Sequence, residues 1–154
     1  MALIQPLDHR NLVVAQHILD VLLPAYAQEA RLLQVEPVEP LQRSVADIQS
    51  SPDFYLGASV QDQLMGVLSL GPDDEAGQLC IHMLVVHPQA QRQGLAHLLM
   101  QELLRRSQGM VVAVATAAGN APALALYRKL GFVVYRQGAM GAENLVLLKL
   151  RRPQ

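Results

Sequence analysis

Val85-Val86-His87-Pro88-Gln89-Ala90-Gln91-Arg92-Gln93-Gly94-Leu95-Ala96-His97-Leu98-Leu99 carries an apolar run into a helical pattern through a loop that ends in small residues. A helix start leaves about four backbone N–H groups unpaired and carries roughly half a positive charge, so such an entry forms an anion site suited to a pyrophosphate. Gly94 and Ala96 supply the small residues. Taken alone, Gly94 also reads as a loop glycine that happens to precede a helix. Its context favours binding: an apolar strand lies before it, and Leu98, Leu99 and Leu103 recur at helical spacing after it. Ala96, Met100 and Leu104 widen that stripe, while His97, Gln101, Arg105 and Gln108 take the opposite arc, which predicts a helix lying on a sheet.

Upstream, Gln78 to Val86 is nearly all apolar, as expected of a central strand covered on both faces. Strand alternation places Cys80, His82, Leu84 and Val86 on one face and Ile81, Met83 and Val85 on the other. Phe54 to Val60 and Gln63 to Leu70 read as a hairpin turning at Gln61-Asp62, although the usual tight-turn glycine is missing, and Gly71 to Gly77 reads as a loop. Ala2 to Leu7 predicts an edge strand, with Asp8 at the cap of a helix over Asn11 to Leu23 that Pro24 interrupts. Ala25 to Gln34 is a second helical stretch, Val35 to Pro40 an acidic proline-containing loop, and Ser44 to Ser50 a short helix with Ser44 and Asp47 as a capping pair. Downstream, Met110 to Thr116 predicts a buried strand and Gly119-Asn120 opens a helix through Leu130 that Gly131 ends. Phe132 to Arg136 and Leu145 to Leu150 close the chain as a strand pair.

Asn120-Ala121-Pro122-Ala123-Leu124-Ala125-Leu126-Tyr127-Arg128-Lys129-Leu130-Gly131-Phe132 is the second informative stretch. Asn120 is suited to cap the helix and Pro122 is tolerated in its first turn. Asn120 and Tyr127 lie nearly two turns apart, on one face and about 10 Å apart along the axis. Alone, Tyr127 reads as a core aromatic beside Ala123, Leu126 and Leu130. Gln91, Gly94 and Ala96 resemble the acyl-CoA-binding signature of the GNAT acyltransferase superfamily, which is Gln or Arg, two residues, Gly, one residue, then Gly or Ala. Asn120, Ala123, Leu126, Tyr127, Gly131 and Phe132 resemble a second signature of that family. The resemblance is firm from Gln78 to Phe132. It implies one α/β domain over residues 1–154, with a mixed, mostly antiparallel sheet of six to seven strands flanked by helices and splayed central strands that bind acyl-CoA.

The resemblance further implies that an amine attacks the thioester of acetyl-CoA directly within a ternary complex, with no acyl-enzyme. Gln91, Arg92, Gln93, Gly94, Leu95 and Ala96 would hold the cofactor, with Asn120, Ala123 and Tyr127 on the neighbouring helix. The backbone of Val86 matches the N–H that meets the thioester oxygen, where charge builds during transfer. Tyr127 matches the family tyrosine that gives a proton to the departing thiolate, a role open to a phenol that is protonated at neutral pH. Many relatives place a Glu in the strand before the loop, whereas here His82 takes that place. Cys80 and His82 resemble the paired histidines of aralkylamine acetyltransferases, with one of the two kept. His82 fits a base acting directly or through water, and also fits a hydrogen-bonded structural histidine. Cys80 reads as a core residue.

The acceptor site is expected in the first third, where Tyr26, Glu29, Glu36 and Glu39 are candidates to line an amine pocket. Isolated carboxylates there also read as solvated surface groups. The acceptor is expected to be a small amine or a peptide amino group. Twelve Lys and Arg against thirteen Asp and Glu argue against a nucleic-acid surface built on bulk charge. One cysteine excludes an intrachain disulfide and fits a reducing cytoplasm, and no run reaches the roughly 18 apolar residues of a membrane helix. No zinc-type Cys/His spacing occurs, so no metal is expected. The late strands are candidates for pairing between chains as a homodimer. A catalytically silent acyl-CoA-binding sensor shares Gln91 to Ala96 with the enzyme reading, and retention of Asn120 with Tyr127 favours the enzyme. An unrelated nucleotide-binding domain is disfavoured, because no Lys-Ser/Thr pair follows Gly94 and the dinucleotide glycine pattern is incomplete.

Overall fold

The computed structural model describes residues 1–34, 43–140 and 145–153. Val35 to Pro40, with Glu36 and Glu39, therefore lies outside the described residues. The strands are β1 (Ala2–Pro6), β2 (Phe54–Val60), β3 (Gln63–Pro72), β4 (Gln78–Val86), β5 (Val111–Ala117), β6 (Val133–Met140) and β7 (Leu145–Arg152). The helices are α1 (Leu12–Leu33), α2 (Val45–Gln49), α3 (Leu95–Arg106) and α4 (Ala121–Lys129). One seven-stranded sheet runs in the order β1-β2-β3-β4-β5-β7-β6. All neighbours are antiparallel except β4 and β5, whose parallel pairing requires the α3 crossover. The α/β sheet expected from the sequence is present, with β4 at its centre.

The core lies in two layers, one on each face of the sheet. Leu95, Leu99, Met100 and Leu103 of α3 pack with Leu68, Val112, Phe132 and Leu150 on one face, joined by Leu124 and Tyr127 of α4. Ile18, Val21 and Leu22 of α1 pack with Tyr55, Val67, Met83 and Val85 on the other. Adjacent β3 residues Val67 and Leu68 feed opposite layers, as the strand period demands.

Three local expectations are corrected. The expected break at Pro24 is absent, and α1 runs unbroken for 22 residues. An interior proline costs about 3 kcal/mol, whereas Ile18, Val21 and Leu22 are each at most 2% exposed. Burial of such side chains stabilises by about 1.5–3 kcal/mol each, which outweighs the missing bond. The cap of α1 is Asn11 rather than Asp8, its side chain accepting from the N–H groups of Val13 and Val14 at 2.9 and 3.1 Å. The β2–β3 turn closes without glycine because Gln61 and Asp62 both take left-handed φ, 52° and 65°, as a two-residue type I′ turn requires.

The third correction concerns the faces of β4. Ser69 pairs with Met83 and Leu70 with Ile81, so His82 is the extra residue of a bulge. The bulge reverses the facing of every residue beyond it. Ile81 joins the α3-side layer with Leu84 and Val86, while Met83 and Val85 face α1. The expected set of Ile81, Met83 and Val85 is therefore split.

The loop expected from Gly71 to Gly77 is pinned by an ion pair. Asp73 has no exposed side-chain surface and accepts from Lys149 Nζ and, at 2.7 Å, from Gln78 Nε2. Burial opposes its ionised form, and the hydrogen bonds from Lys149 and Gln78 outweigh it, holding the carboxyl down to about 2. The unfolded value is about 3.9, so this stabilisation is complete above roughly pH 5 and is lost as pH falls toward the folded value. Asp73→Asn is expected to lower the urea midpoint at neutral pH and to flatten its fall below about pH 4. Wild type and variant curves that stay parallel in acid would reject this account.

Candidate active site

Parallel pairing of β4 and β5 stops at Ile81 with Val114. Beyond it, β4 stays bonded to β3, and Ala115 to Ala117 of β5 pair with β7. The two central strands therefore splay. His87 N–H donates to Met65 C=O at 2.7 Å, which makes Gly66–Val86 a non-hydrogen-bonded pair. The Val86 N–H consequently points away from β3 and into the gap.

Past a short 3-10 turn (Pro88–Ala90), the chain enters α3 through two left-handed residues, Arg92 at φ 65° and Gly94 at φ 77°. No side chain caps α3. The first intrahelical bond is made by Leu98 N–H to Gly94 C=O at 3.0 Å, which leaves the N–H groups of Leu95, Ala96 and His97 free of helical partners. On α4, the Asn120 side chain accepts from Ala123 N–H at 3.3 Å, and its Nδ2 donates to Glu29 Oε1 at 3.3 Å. Gln28, the neighbour of Glu29 on α1, accepts a hydrogen bond from Gln91 Nε2. One turn of α1 thus reaches both walls of the gap.

These elements enclose a cleft of about 630 Å³, within the range of small-molecule sites. The cleft brings together Val86, Gln91, Arg92, Gly94, Leu95, Ala96, Asn120 and Glu29 from the sequence candidates, and adds Gln28, Leu84 and Leu126. Gln93 is exposed, and Ala123 sits behind Asn120. Among the described residues Tyr127 is not on the cleft lining; it follows the lining Leu126 on α4, is 5% exposed, and has its ring 5.7 Å from that of Phe132. Burial and then the Glu29 charge push its hydroxyl well above the usual tyrosine range. Burial likewise pushes Tyr26 up to about 12, against the pull of Arg43 and with the push of Glu29.

Glu29 is itself raised, by burial more than the Asn120 hydrogen bond lowers it. His82 stands apart from the cleft walls. Its Nδ1 lies 2.8 Å from Asp53 Oδ2 and its side chain is 40% exposed. A Cβ at Gly71 would collide with the Asp53 carboxylate, so glycine makes room for that pair. Burial pushes the Cys80 thiol up to about 11, a poor nucleophile at neutral pH. Among the described residues no three His, Cys, Asp or Glu side chains converge as metal ligands, and no helix is long and apolar enough to cross a membrane.

Sequence reasoning offered Glu29 of α1 but missed its neighbour Gln28. A signal existed, because Ala25, Gln28, Glu29 and Leu32 follow i, i+3, i+4, i+7 spacing, and two polar residues on one such face mark a lined cavity rather than a core.

The model of the acetyltransferase (GNAT) family matches residues 15–132. UPF0157 protein YqkA of Bacillus subtilis is 34% identical over 131 residues, which cover 84% of this chain and 38% of that protein. The chain thus spans less than two fifths of that relative's length. The structure of smu.2055 from Streptococcus mutans superposes with a TM-score of 0.80 at 18% identity, covering 98% of each chain. That of yncA from Salmonella typhimurium, a putative acetyltransferase with its cofactor acetyl-CoA, gives 0.71 at 18% identity, covering 99% of this chain and 94% of its own. With the family match extending from inside α1 through the splayed strands to Phe132, the chain belongs to the GNAT acetyltransferase family.

Proposed function

We propose that this protein transfers the acetyl group of acetyl-CoA to a primary amine, of a small molecule or a peptide, by direct attack in a ternary complex. The observation that carries the reading is the splay beyond Ile81 and Val114, which opens the Val86 N–H into a cleft between the loop before α3 and Pro122 and Leu126 of α4. The residues present suit the donor. The uncapped start of α3 and left-handed Arg92 and Gly94 present backbone N–H groups to a pyrophosphate, with the Arg92 cation beside them. When bound, acetyl-CoA supplies an acetyl group on a thiolate leaving group.

The Val86 N–H stabilises the charge that develops on the carbonyl oxygen, at no cost of reorganisation because the sheet already holds it. Tyr127 gives its proton to the departing sulfur. Its burial keeps the phenol protonated, and the same dry surroundings penalise the thiolate, so the proton moves between two groups whose ionised forms are both disfavoured. Glu29 on the α1 wall is the candidate to receive the acceptor, with Tyr26 on the same helix but off the cleft lining.

A thiol-release screen with acetyl-CoA against amines, aminoglycosides, amino acids, polyamines and peptides tests this reading. Turnover with one class supports it, CoA binding without turnover on any favours the sensor, and absence of CoA binding by calorimetry rejects both. Gly94→Val probes the donor loop. A Cβ there meets no neighbour within 4 Å, so the effect is one of backbone strain at φ 77°. Left-handed backbone costs a residue with a Cβ about 1–2 kcal/mol, so CoA affinity is expected to fall about tenfold. Unchanged affinity in calorimetry would remove Gly94 from the donor site.

A further inference from the structure

Among the described residues Glu29 is the one carboxylate on the cleft wall. It is half-buried on α1, and its recorded partner is a neutral amide, Asn120 Nδ2 at 3.3 Å. Among the described residues it makes no ion pair within 4.0 Å. A carboxylate withdrawn from water beside a neutral donor is costly unless a cation joins it, and the open side of Glu29 is the cleft. The groups around it are Tyr26 on its own helix, Tyr127 on α4 beneath, and Arg92 and His97 across the cleft. Both tyrosines are neutral at physiological pH.

We propose that Glu29 is the catalytic base of this protein, binding the acceptor as an ammonium ion and taking its proton before attack. This rests on the acetyl-transfer reading above. An ammonium acceptor carries three protons on nitrogen and the amide product keeps one. Glu29 takes the first, freeing the lone pair. The amine nitrogen then bonds the carbonyl carbon as the carbon–sulfur bond breaks, with its electron pair leaving on sulfur. Tyr127 protonates that sulfur and is restored by the second nitrogen proton, directly or through water, while Glu29 releases the first to solvent. Loss of water raises the proton affinity of Glu29, which improves it as a base over an exposed carboxylate. Asn120 holds the carboxylate toward the cleft and caps α4 with the same side chain, linking the base to the helix that carries Tyr127.

His82 is the competing base. It lies on the bulge of β4 with its Nδ1 turned to Asp53, off the cleft wall.

The test uses the full chain, saturating acetyl-CoA, and two acceptors of one shape: n-butylamine, protonated at neutral pH, and O-propylhydroxylamine, which is weakly basic and already neutral there. Glu29→Gln keeps a side-chain oxygen to accept the hydrogen bond from Asn120 Nδ2 but cannot take a proton. Its kcat/KM for n-butylamine is expected to fall about 100-fold or more, with loss of the acidic limb of the pH profile. Its kcat/KM for O-propylhydroxylamine should change less than about threefold, since that acceptor needs no base before attack. Equal losses on both acceptors, an unchanged rate with n-butylamine, or the acceptor-dependent loss appearing in His82→Gln instead would overturn the assignment. Wild-type protein that binds CoA yet releases no thiol with either acceptor would instead sink the acetyl-transfer reading, and this proposal with it.

Discussion

Tyr127→Phe is expected to lower kcat about 100-fold or more while leaving CoA affinity within a factor of about two, because a positioned general acid contributes roughly 10²–10⁴. The substitution deletes one oxygen from a ring that is 5% exposed and packed against Phe132, so the fold and the cleft should persist. Among the described residues the Tyr127 hydroxyl has no hydrogen-bond partner, and no fully buried side-chain nitrogen or oxygen lacks one. Its proton is therefore uncommitted to the fold. The loss should be larger for thioester donors than for an activated aryl ester, whose leaving group departs without protonation. Retained turnover of acetyl-CoA in Tyr127→Phe would show that the sulfur leaves without this acid.

Phe132→Ala should bring the largest loss of stability. Phe132 is 1% exposed in the α3-side layer, and truncating a buried aromatic costs about 3–5 kcal/mol. For a chain of this size that corresponds to a melting temperature lower by about 10 °C or more. Function should suffer beyond stability, because the Phe132 ring supports Tyr127 and its N–H donates to the Tyr127 C=O at 3.0 Å, ending α4. At a temperature where the variant is folded, kcat is expected to fall while CoA affinity holds. A variant with wild-type melting would place Phe132 outside the core, and one with wild-type kcat would separate the ring from the orientation of Tyr127.

Both signatures were readable because each is local. Gly94 supplies a left-handed backbone at a helix start, and Asn120 to Tyr127 is a cap followed by one helical face, so neither needs a distant partner to be recognised. The hairpin at Gln61-Asp62 was placed correctly without its glycine because the apolar runs on either side set the strands. Pro24 misled for the opposite reason. Its local cost is real, but whether the helix survives depends on what Ile18, Val21 and Leu22 bury, and that layer is assembled from β2, β3 and β4.

The site divides in the same way. The sequence by itself determined the donor loop, the Asn120 cap and the helix that bears Tyr127, since backbone dihedrals and short-range hydrogen bonds create them. Only the tertiary structure decided which α1 side chains meet that loop and the Asn120 cap. A bulge at His82 in the pairing of β4 with β3 puts Ile81 on the face of Leu84 and Val86 and parts it from Met83 and Val85. The path of α1 brings Gln28 to Gln91 and Glu29 to Asn120 across 63 and 91 residues of chain. Strand register and helix docking are minima of the whole packed core, so side chains remote in sequence meet only once the core has formed.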